Sequence, residues 1–268
     1  MDFGGIDLGT VLLVAMLVGT VAFFYSNLGL GGGQLYVPIM DLFFGTILHM
    51  RDIVPLSLAF AFATMVSATY THNKKGLVDF RLGLTLVAGG LVGVVIGVMF
   101  TTSVDEVYVK AGFATLLLVV ATKMIYDLYK AKGENHTTPS SFTTRQRIAG
   151  IGVSLFTGVM IGSFGIGGGV VSVPLMVYVF KMESRRAIGT SAFVGALLTP
   201  AAFAAYWFSE GVEVQVDIAL VLTPIIFVMA LVGSTWGLAK LRTKTVRAIF
   251  IGGVYLAACE MVYSLLFT

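Results

Sequence analysis

A short glycine-rich motif occurs twice in the chain and constrains its fold more than any other feature. The first copy, GLGGG at residues 29–33, is followed by Pro38, and the second, GIGGG at residues 165–169, is followed by Pro174 at the same spacing. Each copy follows an apolar run long enough to cross a bilayer. Because glycine is unfavourable inside a helix and proline lacks a backbone donor, each motif is predicted to interrupt a membrane helix.

The composition is that of a protein embedded in a membrane. Hydrophobic residues make up 57% of the chain and charged residues 12%, whereas soluble domains carry about 25% charged residues. The formal charge of +3 is too small to suggest nucleic-acid binding. Cys259 is the single cysteine, which excludes an intramolecular disulfide and a multi-cysteine metal site. No cofactor and no metal are expected.

Apolar runs of about 20 residues predict membrane helices. These runs cover residues 8–28, 53–70, 80–100, 107–129, 148–164, 187–208, 216–238 and 246–267, and shorter segments at 34–50 and 170–180 follow the two motifs. The predicted fold class is an all-α polytopic membrane protein made of two homologous halves. Residues 1–130 form the N-terminal half, residues 131–147 a polar linker and residues 148–268 the C-terminal half.

The two halves align beyond the glycine motifs. Ser57 matches Ser191 at the start of the helix that follows each short segment, and Asp79 matches Asp217 just before the next helix. The repeated unit is therefore half of the protein, far longer than the 20–50 residues of a solenoid repeat.

Loop charge predicts how the halves are oriented. The loop at residues 72–75 is basic, whereas its equivalent at residues 210–217 is acidic. Under the positive-inside rule, the halves are then inverted, with four long helices and one short half-helix each. The linker would be cytoplasmic and both termini outside. The alternative is a parallel four-plus-four arrangement with re-entrant short segments, since residues 170–180 cover only about 16 Å.

The glycine motif itself allows two interpretations. A G-x-x-x-G spacing is typical of two closely packed helices. Alternatively, matched helix breaks in two halves mark a transporter's substrate site, because broken backbone at membrane depth must be buried or line a cavity. The short helices that follow would point free N–H groups and positive dipole ends at the site. That arrangement favours an anionic substrate.

Polar residues flanking the motifs complete the candidate site. Asn27 and Gln34 have more groups to satisfy than Ser or Thr, which often bond their own helix backbone. The expected substrate-binding residues are Asn27, Gly29, Gly31, Gly32, Gly33, Gln34, Ser57, Ser163, Gly165, Gly167, Gly168, Gly169, Ser172, Thr190 and Ser191. If transport is coupled to an ion, Asp41 and His49 are the first candidates. No catalytic motif such as H-E-x-x-H, G-x-S-x-G or a P-loop lysine is present, so no enzyme is predicted.

Both copies fit the pattern G-x-G-G-G-x-x-x-V-P-[IL], and AIGTS follows the second at residues 187–191. In these features the chain resembles the TauE/SafE family of sulfite and organosulfur anion exporters, over nearly its whole length. The resemblance implies a bacterial-type inner-membrane permease and singles out the motif glycines and prolines with Thr190 and Ser191. The first half departs from the pattern, because VPLS stands at residues 54–57 and leaves Ser57 as its one polar counterpart.

The expected function is secondary transport, specifically export of sulfite or a related organosulfur anion held between the two helix breaks. An anion channel through the same constriction, or a membrane assembly factor without transport activity, are the alternatives. A channel would show no trans-acceleration, and an assembly factor would show no flux. The expected partners are a small anionic substrate, the lipid bilayer and a second copy in a homodimer, without nucleic acid.

Overall fold

A computed structural model describes residues 7–130, 144–240 and 243–267. All regular structure in this part of the chain is helical. The first half contains α1 (Leu8–Tyr25), α2 (Gly33–Phe44), α3 (Met50–Asn73), α4 (Phe80–Ser103) and α5 (Glu106–Lys130). The second half contains α6 (Thr144–Phe164), α7 (Gly169–Phe180), α8 (Ser184–Trp207), α9 (Val216–Lys240) and α10 (Thr243–Phe267). The order of long and short helices is the same in both halves.

Several of these helices have the length and composition of membrane spans. In the described residues, α1, α3, α4, α8 and the segment Val216–Trp236 of α9 qualify, with mean hydropathies between 1.6 and 2.4. Large apolar side chains such as Met16, Val95 and Leu220 stay more than half exposed on the outer surface. Lipid would cover them, which confirms the prediction of a multi-pass all-α membrane protein.

Some predicted boundaries differ from the observed ones. The segment predicted at 34–50 is a helix only to Phe44, and α3 begins at Met50 because His49 has extended backbone and serves as its N-cap. The helix α6 begins at Thr144, inside the predicted linker. The rest of the linker, residues 131–143, lies outside the described residues. With 12 residues each, α2 and α7 are about 18 Å long, close to half a bilayer.

Glycines let α4 and α6 pack with their backbones in contact. A methyl group on Gly93 would lie 2.1 Å from the carbonyl oxygen of Leu155, and one on Gly97 would lie 2.4 Å from that of Val159. Neither position therefore tolerates a side chain. Since the residue numbers rise together along both helices, α4 and α6 run parallel.

The same contact recurs between α1 and α9. A methyl group on Gly233 would lie 2.0 Å from the carbonyl oxygen of Phe23, and one on Gly19 would lie 3.4 Å from the Cγ atom of Met229. These helices also run parallel. Two further helix pairs run parallel. Between α3 and α9, Ser67 contacts Phe227 and Thr71 contacts Ser234. Between α4 and α8, Gly83 faces Phe193 and Gly90 faces Leu198. One direction is therefore shared by α1, α3 and α9, and another by α4, α6 and α8.

The central pair, α3 and α8, runs antiparallel. Met65 of α3 packs against Gly195 of α8, whereas His72, further along α3, packs against Gly189, earlier in α8. These two helices occupy equivalent places in the two halves. These two helices point in opposite directions.

These directions sort the connecting loops into two ends of the molecule. One end, here called the acidic end, holds loops 45–49, 104–105 and 208–215 together with the start of α3. There the Asp52 carboxylate accepts a hydrogen bond from the N–H of Glu213 at 2.8 Å. The acidic residues Asp105, Glu106 and Glu210 also lie at this end.

The opposite end, here called the basic end, holds loops 74–79 and 181–183. Arg186 at the start of α8 lies 3.8 Å from Asp79 in the first of these loops. The basic end also carries Lys74, Lys75, Lys181 and Arg185. The loops at one end therefore carry mainly acidic residues, and those at the other end mainly basic residues.

Candidate functional site

The two glycine motifs touch one another inside the protein. A methyl group added to Gly31 would lie 2.6 Å from the Cα atom of Gly167, and a methyl group added to Gly167 would lie 2.6 Å from the Cα atom of Gly31. We call this contact between residues 29–33 and 165–169 the glycine crossing. It brings together stretches that are far apart in sequence.

Contacts on either side of the crossing are reciprocal. The Cβ position of Gly33 lies 1.9 Å from the carbonyl oxygen of Gly165, and that of Gly169 lies 2.1 Å from the carbonyl oxygen of Gly29. Each motif therefore contacts the other through equivalent residues, as expected about a local two-fold axis. Close packing between the two motifs therefore requires glycine at positions 31, 33, 167 and 169.

Backbone conformation explains further glycines. Gly32 and Gly168 are the N-caps of α2 and α7, with φ of 87° and 79° in the left-handed region that favours glycine. Neither helix has a side-chain cap. The positive ends of both helix dipoles therefore adjoin the crossing. No side chain accepts a capping hydrogen bond from the N–H groups in the first turns of α2 and α7.

Gln34 lies in the first turn of α2 and has no hydrogen-bond partner. It is 1% exposed, and neither its amide oxygen nor its amide nitrogen is bonded. Leaving a buried polar group unsatisfied costs about 1–3 kcal/mol. Gln34 is therefore a polar group for which a ligand would supply the missing partner.

Thr157 occupies a comparable place beside α7, and sequence reasoning missed it. Its Cγ2 atom lies 3.2 Å from the Cβ position of Gly168, and the residue is 1% exposed. Its hydroxyl has no partner, whereas Thr64 and Thr199 bond carbonyls four residues back in their own helices. The sequence carried no signal for this difference, because a threonine in an apolar helix usually forms such a bond.

Three predicted serines lie close to the crossing. Ser172 and Ser191 share a hydrogen bond of 2.5 Å between α7 and α8. The Ser57 hydroxyl lies 2.9 Å from the carbonyl oxygen of Val54 and 3.4 Å from that of Gly165. All three hydroxyls are partnered within the protein, so a ligand would have to compete with these bonds.

Other predicted residues have structural contacts further from the crossing. The Ser163 hydroxyl donates to the carbonyl of Gly97 at 3.3 Å and joins α6 to α4. Thr190 accepts a bond of 3.0 Å from the N–H of Asp79 and joins α8 to the loop before α4. Asn27, just after α1, donates to the carbonyl of Phe23 in that helix, while its Oδ1 atom is unpartnered.

The comparison with known proteins assigns the family. The family described as Sulfite exporter TauE/SafE matches residues 11–261. The chain belongs to the TauE/SafE family. It is therefore a membrane transporter and not an enzyme. No solved structure matches it.

Relatives of this TauE/SafE protein carry general names. It is 26% identical to the Probable membrane transporter protein YunE of Bacillus subtilis, over 96% of this chain and 98% of that protein. A Probable membrane transporter protein of Haemophilus influenzae is 30% identical over 70% of this chain and 71% of its own length. The Probable membrane transporter protein MJ0441 of Methanocaldococcus jannaschii is 25% identical over 82% of this chain and 80% of its own length.

The two coupling candidates of this TauE/SafE protein belong to one chain of hydrogen bonds and ion pairs, here called the ion-pair relay. His49 Nδ1 lies 2.9 Å from Glu106 Oε2, and Lys110 Nζ lies 3.1 Å from both Glu106 Oε1 and Asp41 Oδ1. The side chain of His49 is 66% exposed and that of Asp41 is 2% exposed. This ion-pair relay therefore connects the surface at the acidic end with the buried part of α2.

The helix α10 completes the relay. Ser264 donates to Asp41 Oδ2 at 2.9 Å and accepts from Lys110 at 2.9 Å. Glu260 lies close enough to interact electrostatically with Asp41 and Lys110, and its buried Oε2 atom has no hydrogen-bond partner. Lys110 was not singled out from the sequence, although its spacing from Glu106 is that of an i,i+4 pair.

A cavity of 340 Å³ lies at the acidic end. Its lining includes His49, Arg51 and residues 101–106. Thr101 in its wall donates to the carbonyl of Ser163 at 2.7 Å, just before the second glycine motif. The cavity thus adjoins the end of α6 and not the glycine crossing itself. Within the described residues, no group of three or more His, Cys, Asp or Glu could hold a metal ion.

Proposed function

We propose that this TauE/SafE protein exports a small sulfur oxyanion, sulfite or an organosulfonate, and binds it at the glycine crossing. One observation carries the proposal. Two helices without side-chain caps begin beside the crossing, and each start has a buried polar side chain without a partner, Gln34 at α2 and Thr157 at α7. Helix N-termini bind anions through free N–H groups and the dipole. The family name supports a sulfur oxyanion as the substrate.

In this proposal the side chains have different roles. Gln34 and Thr157 donate hydrogen bonds to the anion, because their polar atoms need no other bond to be broken. Ser172 and Ser191 also donate to the anion when the hydrogen bond between them breaks. The glycines act by allowing the two backbones to approach, and Asn27, Ser57, Ser163 and Thr190 hold the surrounding segments.

We further propose that the halves are inverted across the membrane. The equivalent helices α3 and α8 run antiparallel, whereas a two-fold axis along the membrane normal would keep equivalent spans parallel. Lys123 of α5 and Glu260 of α10, which match when KMIY at residues 123–126 is aligned with EMVY at residues 260–263, support the same arrangement. Lys123 lies 5.2 Å from the ring centroid of Tyr178, while Glu260 adjoins the ion-pair relay at the acidic end.

Loop charge supports a proposed orientation in the cell membrane. The basic end would face the cytoplasm under the positive-inside rule. Linker residues 131–147 would then be cytoplasmic, and both termini would lie outside. A membrane potential that is negative inside favours anion export by about 2.3 kcal/mol per charge per 100 mV. The membrane potential is thus sufficient to drive export by uniport, without a coupling ion.

The ion-pair relay is where we propose that any proton coupling acts. Gln34 and Asp41 lie on α2 seven residues apart, which places them on one face of the helix two turns apart. Protonation of Asp41, reached through His49 and Glu106, would release Lys110 and free α2 to move. The proposed anion site and the coupling residues would then share one short helix.

Counterflow in proteoliposomes tests the function. The purified protein, preloaded with unlabelled sulfite, is expected to accelerate uptake of labelled sulfite, and a panel with sulfate, thiosulfate, sulfoacetate and taurine would rank the substrates. Saturable flux without trans-acceleration would indicate the channel alternative. No flux of any anion from correctly inserted protein would indicate the assembly-factor alternative and overturn the proposal.

A further inference from the structure

Met65 of α3 reaches the glycine crossing with the end of its side chain. The residue is fully buried, and its Cε atom lies 2.8 Å from the Cβ positions of both Gly31 and Gly167. The other atoms nearest to these two positions belong to the backbone of the facing motif. The same methyl group lies 2.8 Å from the Cβ position of Gly195 in α8. One methyl group therefore contacts both motifs and the central helix of the second half.

Short side chains surround this methionine. Met65 forms a small apolar cluster with Ala68 of α3 and with Ala192 and Ala196 of α8, separate from the main core. Methionine is unbranched and rotates about three side-chain bonds, so it adapts its shape to irregular spaces. Because the other three members are alanines, Met65 supplies most of the volume of the cluster. A shorter residue at this position would therefore leave space beside the crossing.

The second half has a different residue at the equivalent position. The register that pairs Ser57 with Ser191 also pairs Met65 with Thr199. Threonine is shorter and stiff about its first side-chain bond, and the Thr199 hydroxyl donates to the carbonyl of Gly195 at 2.8 Å within α8. The crossing is therefore symmetric in its glycines but not at this position, where the first half alone supplies a long flexible side chain.

Sulfite and organosulfonates differ by one substituent on sulfur. Both present three oxygens, but a sulfonate also carries a carbon chain that accepts no hydrogen bond. At the crossing, Gln34 and Thr157 have polar atoms without partners, whereas Met65 presents an apolar methyl group. A sulfonate held by its oxygens needs apolar space for its carbon chain, because a chain placed against polar groups leaves them unpaired. The Met65 methyl group fills the apolar space beside both motifs.

We propose that Met65 sets the size limit of the substrate by filling the space that the carbon chain of an organosulfonate would occupy. The inference rests on the proposed function and narrows its substrate to sulfite and the shortest sulfonates. Met65 keeps its contact with both motifs when sulfite is bound, whereas a longer sulfonate has to displace the Met65 side chain. One methylene group in an apolar pocket changes discrimination about 10-fold to 200-fold, so shortening Met65 should change the substrate range measurably.

Competition against sulfite counterflow tests the inference. Methane-, ethane-, propane- and butanesulfonate would compete with labelled sulfite in proteoliposomes, each expressed relative to unlabelled sulfite. In the unsubstituted protein, competition should weaken as the carbon chain lengthens. Met65→Ala should improve competition by propanesulfonate at least about tenfold relative to sulfite. Met65→Leu keeps most of the buried volume but ends one bond short of Cε, so it should improve competition about threefold with little loss of stability.

Met182→Ala is the matched control, because it also shortens a fully buried methionine but lies in the loop at the basic end. Its dependence on chain length should equal that of the unsubstituted protein. An unchanged dependence on chain length in both Met65 variants would overturn the inference. Equal weakening of sulfite and of every sulfonate in Met65→Ala would make Met65 a structural residue, and would overturn the inference as well.

Thermal stabilisation by the same anions separates binding from transport. Relative to the rise with sulfite, propanesulfonate should raise the melting temperature of both Met65 variants more than that of the unsubstituted protein. The same relative rise in all three proteins would contradict the size limit. Absence of counterflow with this difference in stabilisation would count against the proposed transport and support the role of Met65. No stabilisation by any anion would overturn both.

Discussion

The two glycine motifs have matching backbones and different side chains. Gly31 and Gly167 meet at the centre, and the flanking contacts are reciprocal. However, Gln34 is matched by Val170, and Tyr36 by Ser172. The duplication thus preserved the steric requirements of the crossing, while the groups available to a ligand diverged. The comparison separates the glycines that packing requires from the side chains that we propose for binding.

The largest effect is expected where a side chain would meet backbone. Gly33→Ala and Gly169→Ala would each place a methyl group within 2.1 Å of a carbonyl oxygen of the other motif. Overpacking costs about 1–3 kcal/mol or more, so both variants should lose thermal stability and counterflow to a similar degree. Gly152→Ala is the matched control, because that position is open. A stable variant at one motif and an unstable one at the other would break the equivalence.

The next effect concerns the ion-pair relay, which contacts α2 of the first half. Lys110→Met would leave the buried Asp41 carboxylate without its cation, at a cost of about 3–5 kcal/mol. Thermal unfolding in detergent should show this loss. The double variant Lys110→Met with Asp41→Asn should recover most of it. If the double variant is no more stable than Lys110→Met, the pair is not the source of the effect.

A smaller and more specific effect is expected at Gln34. Gln34→Val copies Val170 of the second half and removes an amide that has no partner. The melting temperature should stay unchanged or rise, while the apparent affinity for sulfite falls about tenfold, as expected for loss of about 1–1.5 kcal/mol of hydrogen bonding. Sulfite counterflow at several concentrations measures the affinity. A loss of stability with normal affinity would make Gln34 a structural residue.

The smallest effect is expected at Thr157. Thr157→Val preserves the shape and removes one hydroxyl without a partner, so the affinity for sulfite should fall about threefold to tenfold. Thr64→Val is the control, because its hydroxyl already bonds within the protein. Equal effects on sulfite affinity from both variants would remove the distinction between the two threonines.

Sequence patterns predicted the features that depend on local chemistry. Glycine spacing predicted the interruption that ends α1 at Tyr25 and starts α2 at Gly33, whereas Pro38 and Pro174 lie inside α2 and α7 and do not end them. Apolar run length predicted the long helices. Loop charge predicted the two ends of opposite sign. These signals are local because helix propensity, hydropathy and charge belong to short segments.

Features that depend on which helices meet could not be predicted in this way. The contact between Gly31 and Gly167, the missing bond of Thr157 and the link from Lys110 to Asp41 all require the tertiary arrangement. The partners of two predicted site residues also required the tertiary arrangement. Ser163 bonds a carbonyl of α4, and Thr190 accepts from the N–H of Asp79 in the loop before α4.

Anion-induced stabilisation tests the central claim most directly. A ligand that binds the folded state stabilises it by RT ln(1 + [L]/Kd), about 2.7 kcal/mol at a hundredfold excess over Kd. We predict that sulfite raises the melting temperature of the detergent-purified protein and that the double variant Gln34→Val with Thr157→Val, folded and equally stable without sulfite, loses this rise. An undiminished rise in the double variant would place the anion away from the glycine crossing and contradict the account.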